Sequence, residues 1–152
     1  MENIVPFLYE SEMGIEKGFF ITKNGEKQIH GLFESFYGNG KSKKRGEYQY
    51  GKPTGEFIEW YENGNKKIVN HYDKKTGEEI GLYQRYYDNG QLQKECYYKK
   101  FEYLIKPDGK YCEWYNNGQM SYETTYIDSG LSSYNAWNMD GTKKQLKVNK
   151  SI

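Results

Sequence analysis

Only two cysteines stand among the 152 residues, Cys96 and Cys112, and neither has metal-ligand spacing around it. A disulfide scaffold and a zinc site are therefore not expected, and both thiols are read as reduced. Aliphatic residues are scarce too: Leu, Ile, Val and Phe total 27 of 152. That is roughly the level at which disorder is suspected, but disorder also needs a large net charge, and here the balance is +1. The lack of a basic excess argues against nucleic acid as the main partner, because phosphate binding needs clustered cations. No apolar run is long enough to span a bilayer. Met1–Pro6 shows no basic stretch followed by an apolar one, so no signal peptide is expected and a cytoplasmic location is. The missing apolar surface is supplied by seventeen Tyr and three Trp. Each aromatic ring can bury on the order of 150–250 Å², which suits a thin aromatic sheet better than a deep globule.

The aromatics recur with a period. Gly31-Leu32-Phe33-Glu34-Ser35-Phe36-Tyr37-Gly38-Asn39-Gly40 is echoed by Gly55–Gly64, Gly81–Gly90 and Gly109–Gly118. A decayed fifth copy runs from Ser132 through Tyr134 and Trp137 to Asp140-Gly141. The turn glycines are 24, 26, 28 and 23 residues apart. Eight residues past each stands Tyr48, Tyr72, Tyr98 and Tyr126, with Asn149 in the fifth copy. Each unit reads as an aromatic strand, an Asn-Gly turn and a returning strand. Asn-Gly between β-favouring runs predicts a type I′ turn, with positive φ at both residues.

Alternation along the first strand puts Phe33, Phe57, Tyr83 and Tyr111 on one face with Tyr37, Tyr61, Tyr87 and Tyr115. Phe36, Trp60, Tyr86, Trp114 and Trp137 point the other way by strict alternation, unless a bulge before the turn brings all three rings together. The fold class predicted is all-β, an elongated antiparallel hairpin array of about five units forming one domain. We divide it into a cap (1–17), a degenerate leading unit (18–30) that includes Asn24-Gly25, four units (31–54, 55–80, 81–108, 109–131) and a decayed last repeat with its tail (132–152). The long third linker, Lys99–Asp108, is expected to fold back onto the sheet. The Lys-rich tail suits a protected edge strand.

The unit Gly-x-aromatic-x-x-(Trp/Tyr)-Tyr-x-Asn-Gly, with a further Tyr eight residues on, resembles the bacterial variant of the MORN repeat over about Gly18 to Lys147. Proteins that look like this are grouped in bacteria as YwqK-type antitoxins, thought to neutralise a toxin partner. The resemblance implies a scaffold and carries no catalytic residues, since the shared positions are turns and aromatics. Asn138 and Met139 depart from the pattern in the last unit.

Catalytic chemistry has few candidates. His30 and His71 occupy non-equivalent positions away from cysteines and carboxylate clusters, and Glu78-Glu79 lies in a connector. Gly51–Gly55 and Gly77–Gly81 are not phosphate loops, because no helix follows to offer its amides. Lys41, Lys43, Lys44 and Arg45 read as a solvated strand edge. We therefore expect no enzyme, no metal and no cofactor. Glu59, Arg85 and Glu113 share one position in successive units, either as surface charge or as a stripe of alternating sign on a binding face. Trp60, Tyr86, Trp114 and Trp137 hold the sheet together or form a hot-spot surface, since Trp and Tyr dominate interface energetics. Phe101 and Tyr103, in the irregular linker, complete the candidate contact set. The expected function is protein binding, as an antitoxin, immunity protein or inhibitor of a toxin or nuclease. The alternatives are a scaffold on lipid head groups or a membrane-associated assembly, and a glycan-binding module.

Overall fold

The computed structural model describes residues 3–128 and 130–145, and among these there is no helix. Twelve strands make one antiparallel sheet: β1 (Ile4–Ser11), β2 (Gly14–Lys23), β3 (Glu26–Ile29), β4 (Gly31–Tyr37), β5 (Ser42–Gln49), β6 (Lys52–Trp60), β7 (Lys66–Tyr72), β8 (Gly81–Tyr86), β9 (Leu92–Phe101), β10 (Leu104–Trp114), β11 (Met120–Ile127) and β12 (Gly130–Ala136). From β4 onward each strand pairs with the next in sequence. The hairpins β4–β5, β6–β7, β8–β9 and β10–β11 are the four repeat units.

The first strands stand outside this meander. β2 is long, and its two halves have different neighbours: Gly14–Lys17 pairs with β4 and Phe20–Lys23 with β3. β1 covers the other side of β2. Asn24 and Gly25 form the two-residue loop between Lys23 and Glu26, with φ of 52° and 82°. That is the type I′ geometry, and Asn24-Gly25 closes a β2–β3 hairpin rather than belonging to a unit's returning half.

The repeat turns are built differently, which corrects the expected type I′. Tyr37 N donates to Lys41 O and Gly40 N to Tyr37 O, both at 2.8 Å, and the same pair of bonds closes the turns at Tyr61, Tyr87, Tyr115 and Asn138. Only the glycine has positive φ, from 80° at Gly40 to 99° at Gly64; Asn39, Asn63, Asn89 and Asn117 do not. Each loop therefore has three residues, a type I turn completed by a left-handed glycine. A β-branched residue there would meet a steric conflict. The Asn is selected by its side chain: its Oδ1 accepts from the amide two residues on, at 3.0 Å in Lys41–Asn39 and 2.9 Å in Asn65–Asn63.

The bulge weighed before the turn is not found; the bulge lies after it, on the returning strand. Pairing slips between Ser35 and Phe36, Glu59 and Trp60, Arg85 and Tyr86, and Glu113 and Trp114. The extra residue is on the far side, so the first strand keeps strict alternation. Phe36 lies under Lys17, itself paired with Glu34, and Tyr86 donates to Gln84 at 3.0 Å. Both partners lie on the face opposite Phe33 and Tyr83.

On the face with Phe33 the rings form a ladder. Phe33 meets Tyr48 edge-on, Tyr48 meets Phe57, Phe57 meets Tyr72, Tyr83 meets Tyr98 and Tyr111 meets Tyr126, with centroids 5.0 to 6.4 Å apart. Edge-to-face pairs contribute about 0.5–1.5 kcal/mol each beyond burial. Phe57 is the deepest ring, 2% exposed, and Gly46 makes room for it: a Cβ there would sit 2.3 Å from the ring. The buried set is small, and includes Ile21, Val69, Cys96, Cys112, Thr124 and Ala136. A two-stranded hairpin with so little core is marginal alone, so cohesion comes from neighbouring units.

The linker 99–108 does not fold back. It continues β9 and β10 into a longer hairpin, with Phe101 opposite Leu104 and Lys99 opposite Lys106. Alternating side chains in both arms satisfy a ladder more readily than a return over a face already occupied. At the far end, Lys144 N donates to Ala136 O and Trp137 bridges to Lys143, so the described tail lies against the end of β12. Asn149 and the rest of the tail lie outside the described residues.

Candidate functional site

One lateral row crosses the sheet without a slip. Tyr9 stands opposite Glu16, Glu16 opposite Ser35, Ser35 opposite Lys44 and Lys44 opposite Glu59. The pairing continues through Ile68, Arg85, Lys94, Glu113 and Tyr122 to Ala136. Cross-strand partners project from the same face, and this is the face of the aromatic ladder. Glu59, Arg85 and Glu113 are thus on one line, though not in contact with one another: Ile68 separates the first two and Lys94 the last two.

The charges on this row are unevenly matched. Lys44 Nζ lies 3.3 Å from the Glu59 carboxylate. Glu113 accepts the Tyr111 hydroxyl proton at 2.6 Å. Burial, and the proton held by Glu113, push the Tyr111 hydroxyl up from its ordinary value, so it remains a neutral donor. Lys94 sits over two rings, 5.4 Å from the centroid of Tyr83 and 4.7 Å from that of Tyr111. Arg85 is exposed and has no ion pair among the described residues. Two cations therefore adjoin at the centre of the row, and the flanking carboxylate nearest to them is engaged by a tyrosine.

The other candidates separate. Trp60, Tyr86 and Trp114 lie by alternation on the opposite face, and they are half-buried rather than openly exposed, as is Trp137. Their carbonyls serve the array: Tyr37 Oη donates to Trp60 O at 2.6 Å, Tyr61 to Tyr86 O at 2.8 Å, and Tyr87 and Tyr115 to Trp114 O and Trp137 O, both at 2.9 Å. Phe101 is half-buried, whereas Tyr103 at the hairpin tip is 95% exposed. Lys94 was missed in the sequence, and Lys44 was read only as part of a solvated strand edge, because charged positions were compared between first strands alone. The signal is there, since both stand four residues past a turn glycine.

Cys96 faces the ladder opposite Tyr83 and Tyr111, while Cys112 pairs with Glu95 on the other face, which precludes a bond between them. Both are free and buried, and burial pushes both thiols up. His71 Nδ1 lies 2.9 Å from Leu82 O, and His30 Nδ1 accepts from Tyr50 N at 3.3 Å. Among the described residues no group of three or more His, Cys, Asp or Glu is placed to hold a metal ion.

The family of the MORN repeat variant matches four stretches, residues 29–50, 53–74, 79–100 and 107–128. No curated protein and no solved structure matches the chain. The four stretches cover more than half of the sequence and coincide with the four hairpins whose turns, ladder and inter-unit bonds repeat. The chain belongs to the MORN repeat variant family.

Proposed function

We propose that this chain is a non-catalytic, cytoplasmic protein-binding module that acts as an antitoxin, immunity protein or other inhibitor, laying its charged row over a toxin or nuclease. MORN repeats form protein- or membrane-binding modules, and the row favours the protein. One observation carries this reading: six charged groups of mixed sign stand in one row across an aromatic floor, with Arg85 and Lys94 adjoining and, among the described residues, in no ion pair. Ten strand spacings of about 4.8 Å and a strand height of about 20 Å make this face roughly 1,000 Å². That is close to the ~800 Å² that each partner contributes to an ordinary stable interface. The ladder fixes the side chains in advance, so little ordering entropy is lost on docking. Mixed charge suits the specific surface of a protein better than the uniformly anionic surface of a lipid.

The test is charge reversal at the centre of the row. Arg85→Glu leaves folding within about 0.5 kcal/mol, as surface substitutions do. It weakens the complex by at least about 2 kcal/mol, measured by calorimetry against the partner recovered from the producing cells. Unchanged affinity for both Arg85→Glu and Glu113→Lys would place the binding face elsewhere.

A further inference from the structure

The hairpin made by β9 and β10 runs past its neighbours. β8 stops pairing with β9 at Tyr98, and β11 stops pairing with β10 at Gly109. Beyond those points the two arms pair only with each other, through Lys99–Lys106, Lys100–Ile105 and Phe101–Leu104. Among the described residues the lateral tie is the ion pair from Lys100 to Glu78, at 2.7 Å. A two-stranded ribbon of this kind contributes little stability. Apolar side chains are nevertheless exposed at the tip beside Glu102: Tyr103 is 95% exposed and Leu104 58%. Glu102, the first residue of the tip, holds a positive φ of 50°.

Below the tip, Lys99 and Lys106 stand directly opposite on one face. Like charges so placed repel. Lys99 has Asp108 at 3.6 Å, while Lys106 has no ion pair among the described residues. The arrangement becomes favourable when an external carboxylate comes between them.

We propose that this finger inserts into a cleft of the partner protein that is apolar at its floor and rimmed by carboxylates. The proposal rests on the protein-binding reading above and adds the partner's chemistry. The finger is convex, so its occupant is concave. Tyr103 and Leu104 supply apolar area to the floor, and Lys99 and Lys106 meet acidic groups at the rim. A lipid surface fits the same lysines but not the tip. Glu102 would enter the acyl boundary, where nothing donates a hydrogen bond to it, whereas a protein cleft with apolar side chains still offers backbone amides.

The test places a photo-crosslinking benzoylphenylalanine at position 103, and separately at position 85, in the intact chain inside the producing cells. Adducts are mapped by mass spectrometry, and phosphatidylcholine vesicles containing phosphatidylserine serve as the lipid probe. Adducts from position 103 are expected on one protein, in a concave segment carrying Asp or Glu. With that protein purified, Leu104→Ser should weaken binding about 30-fold, and Lys106→Glu about tenfold with a smaller salt dependence. Because the tip is exposed, both variants should melt with the wild type. Adducts from position 85 without any from 103 would overturn the finger and leave the row standing. So would an unchanged affinity for Leu104→Ser. Vesicle binding with no protein adduct from either position, or no adduct and no vesicle binding, would overturn both.

Discussion

The two edges of this sheet obey different rules. At the edge carrying the repeat turns every unit is alike: a three-residue loop, a left-handed glycine, and an Asn whose side chain works in two directions. Its oxygen accepts from its own turn, and its amide donates to the next turn's carbonyl, at 3.3 Å from Asn39 to Glu62, 2.6 Å from Asn63 to Asp88, 2.9 Å from Asn89 to Asn116 and 3.1 Å from Asn117 to Met139. Asp140, in the last turn described, keeps the acceptor half, receiving the Thr142 amide at 2.9 Å. At the opposite edge the connectors vary in length and reach, although Tyr50-Gly51 and Glu102-Tyr103 are both two-residue loops opening on a residue with φ of 50°. Tyr50-Gly51 is a two-residue loop, Asp73–Glu78 is a longer one tied by backbone amides to Asp73, and Glu102-Tyr103 tips the finger. Amides of Thr76 and Lys75 hold the Asp73 carboxyl below its usual range. Uniformity marks the edge that joins units, and variety marks the edge that the proposed finger belongs to.

That contrast can be broken first at the turn. Gly90→Val places a β-branched side chain at a φ of 86°, with its Cβ 3.4 Å from Asn65. A loss of about 1–3 kcal/mol is expected in urea denaturation. Wild-type stability would mean the turn tolerates another geometry. A smaller and more selective lesion is Tyr87→Phe, which removes only the hydroxyl that reaches Trp114 O. About 1 kcal/mol should be lost. The loss should also appear as faster amide exchange in the units on both sides, because the bond joins units rather than closing one.

Much of the fold was legible because it repeats. The turn glycines, the ring positions and the Tyr eight residues on were enough to set strands, pairing and the ladder. The turn type was not, because Asn-Gly was judged as a dipeptide. Whether a loop has two residues or three depends on cross-strand bonds such as Tyr37 N to Lys41 O, and Asn24-Gly25 shows that the same dipeptide makes the two-residue form when strand register allows. The finger was misread because apolar residues in a linker suggest burial. No glycine or Asn marks its tip, where Glu102 takes the positive φ instead. The candidate site was half visible: Glu59, Arg85 and Glu113 recur in phase, but Lys44 and Lys94 come from returning strands, and only pairing interleaves them. The Trp positions were left between holding the sheet together and recognition, and their carbonyls accept the inter-unit tyrosine bonds.

A paired measurement on two neighbouring variants, Asn89→Asp and Arg85→Glu, tests the division between cohesion and recognition most directly. Asn89→Asp keeps the turn's acceptor and deletes the donor to Asn116 O. Arg85→Glu reverses a charge that has no ion pair to lose. Melting and partner affinity are recorded for both. A crossed result is expected: Asn89→Asp lowers stability by about 1 kcal/mol with affinity retained, and Arg85→Glu weakens binding by at least about 2 kcal/mol with melting retained. If the two variants shift both quantities in parallel, cohesion and recognition share the same residues, and the account is wrong.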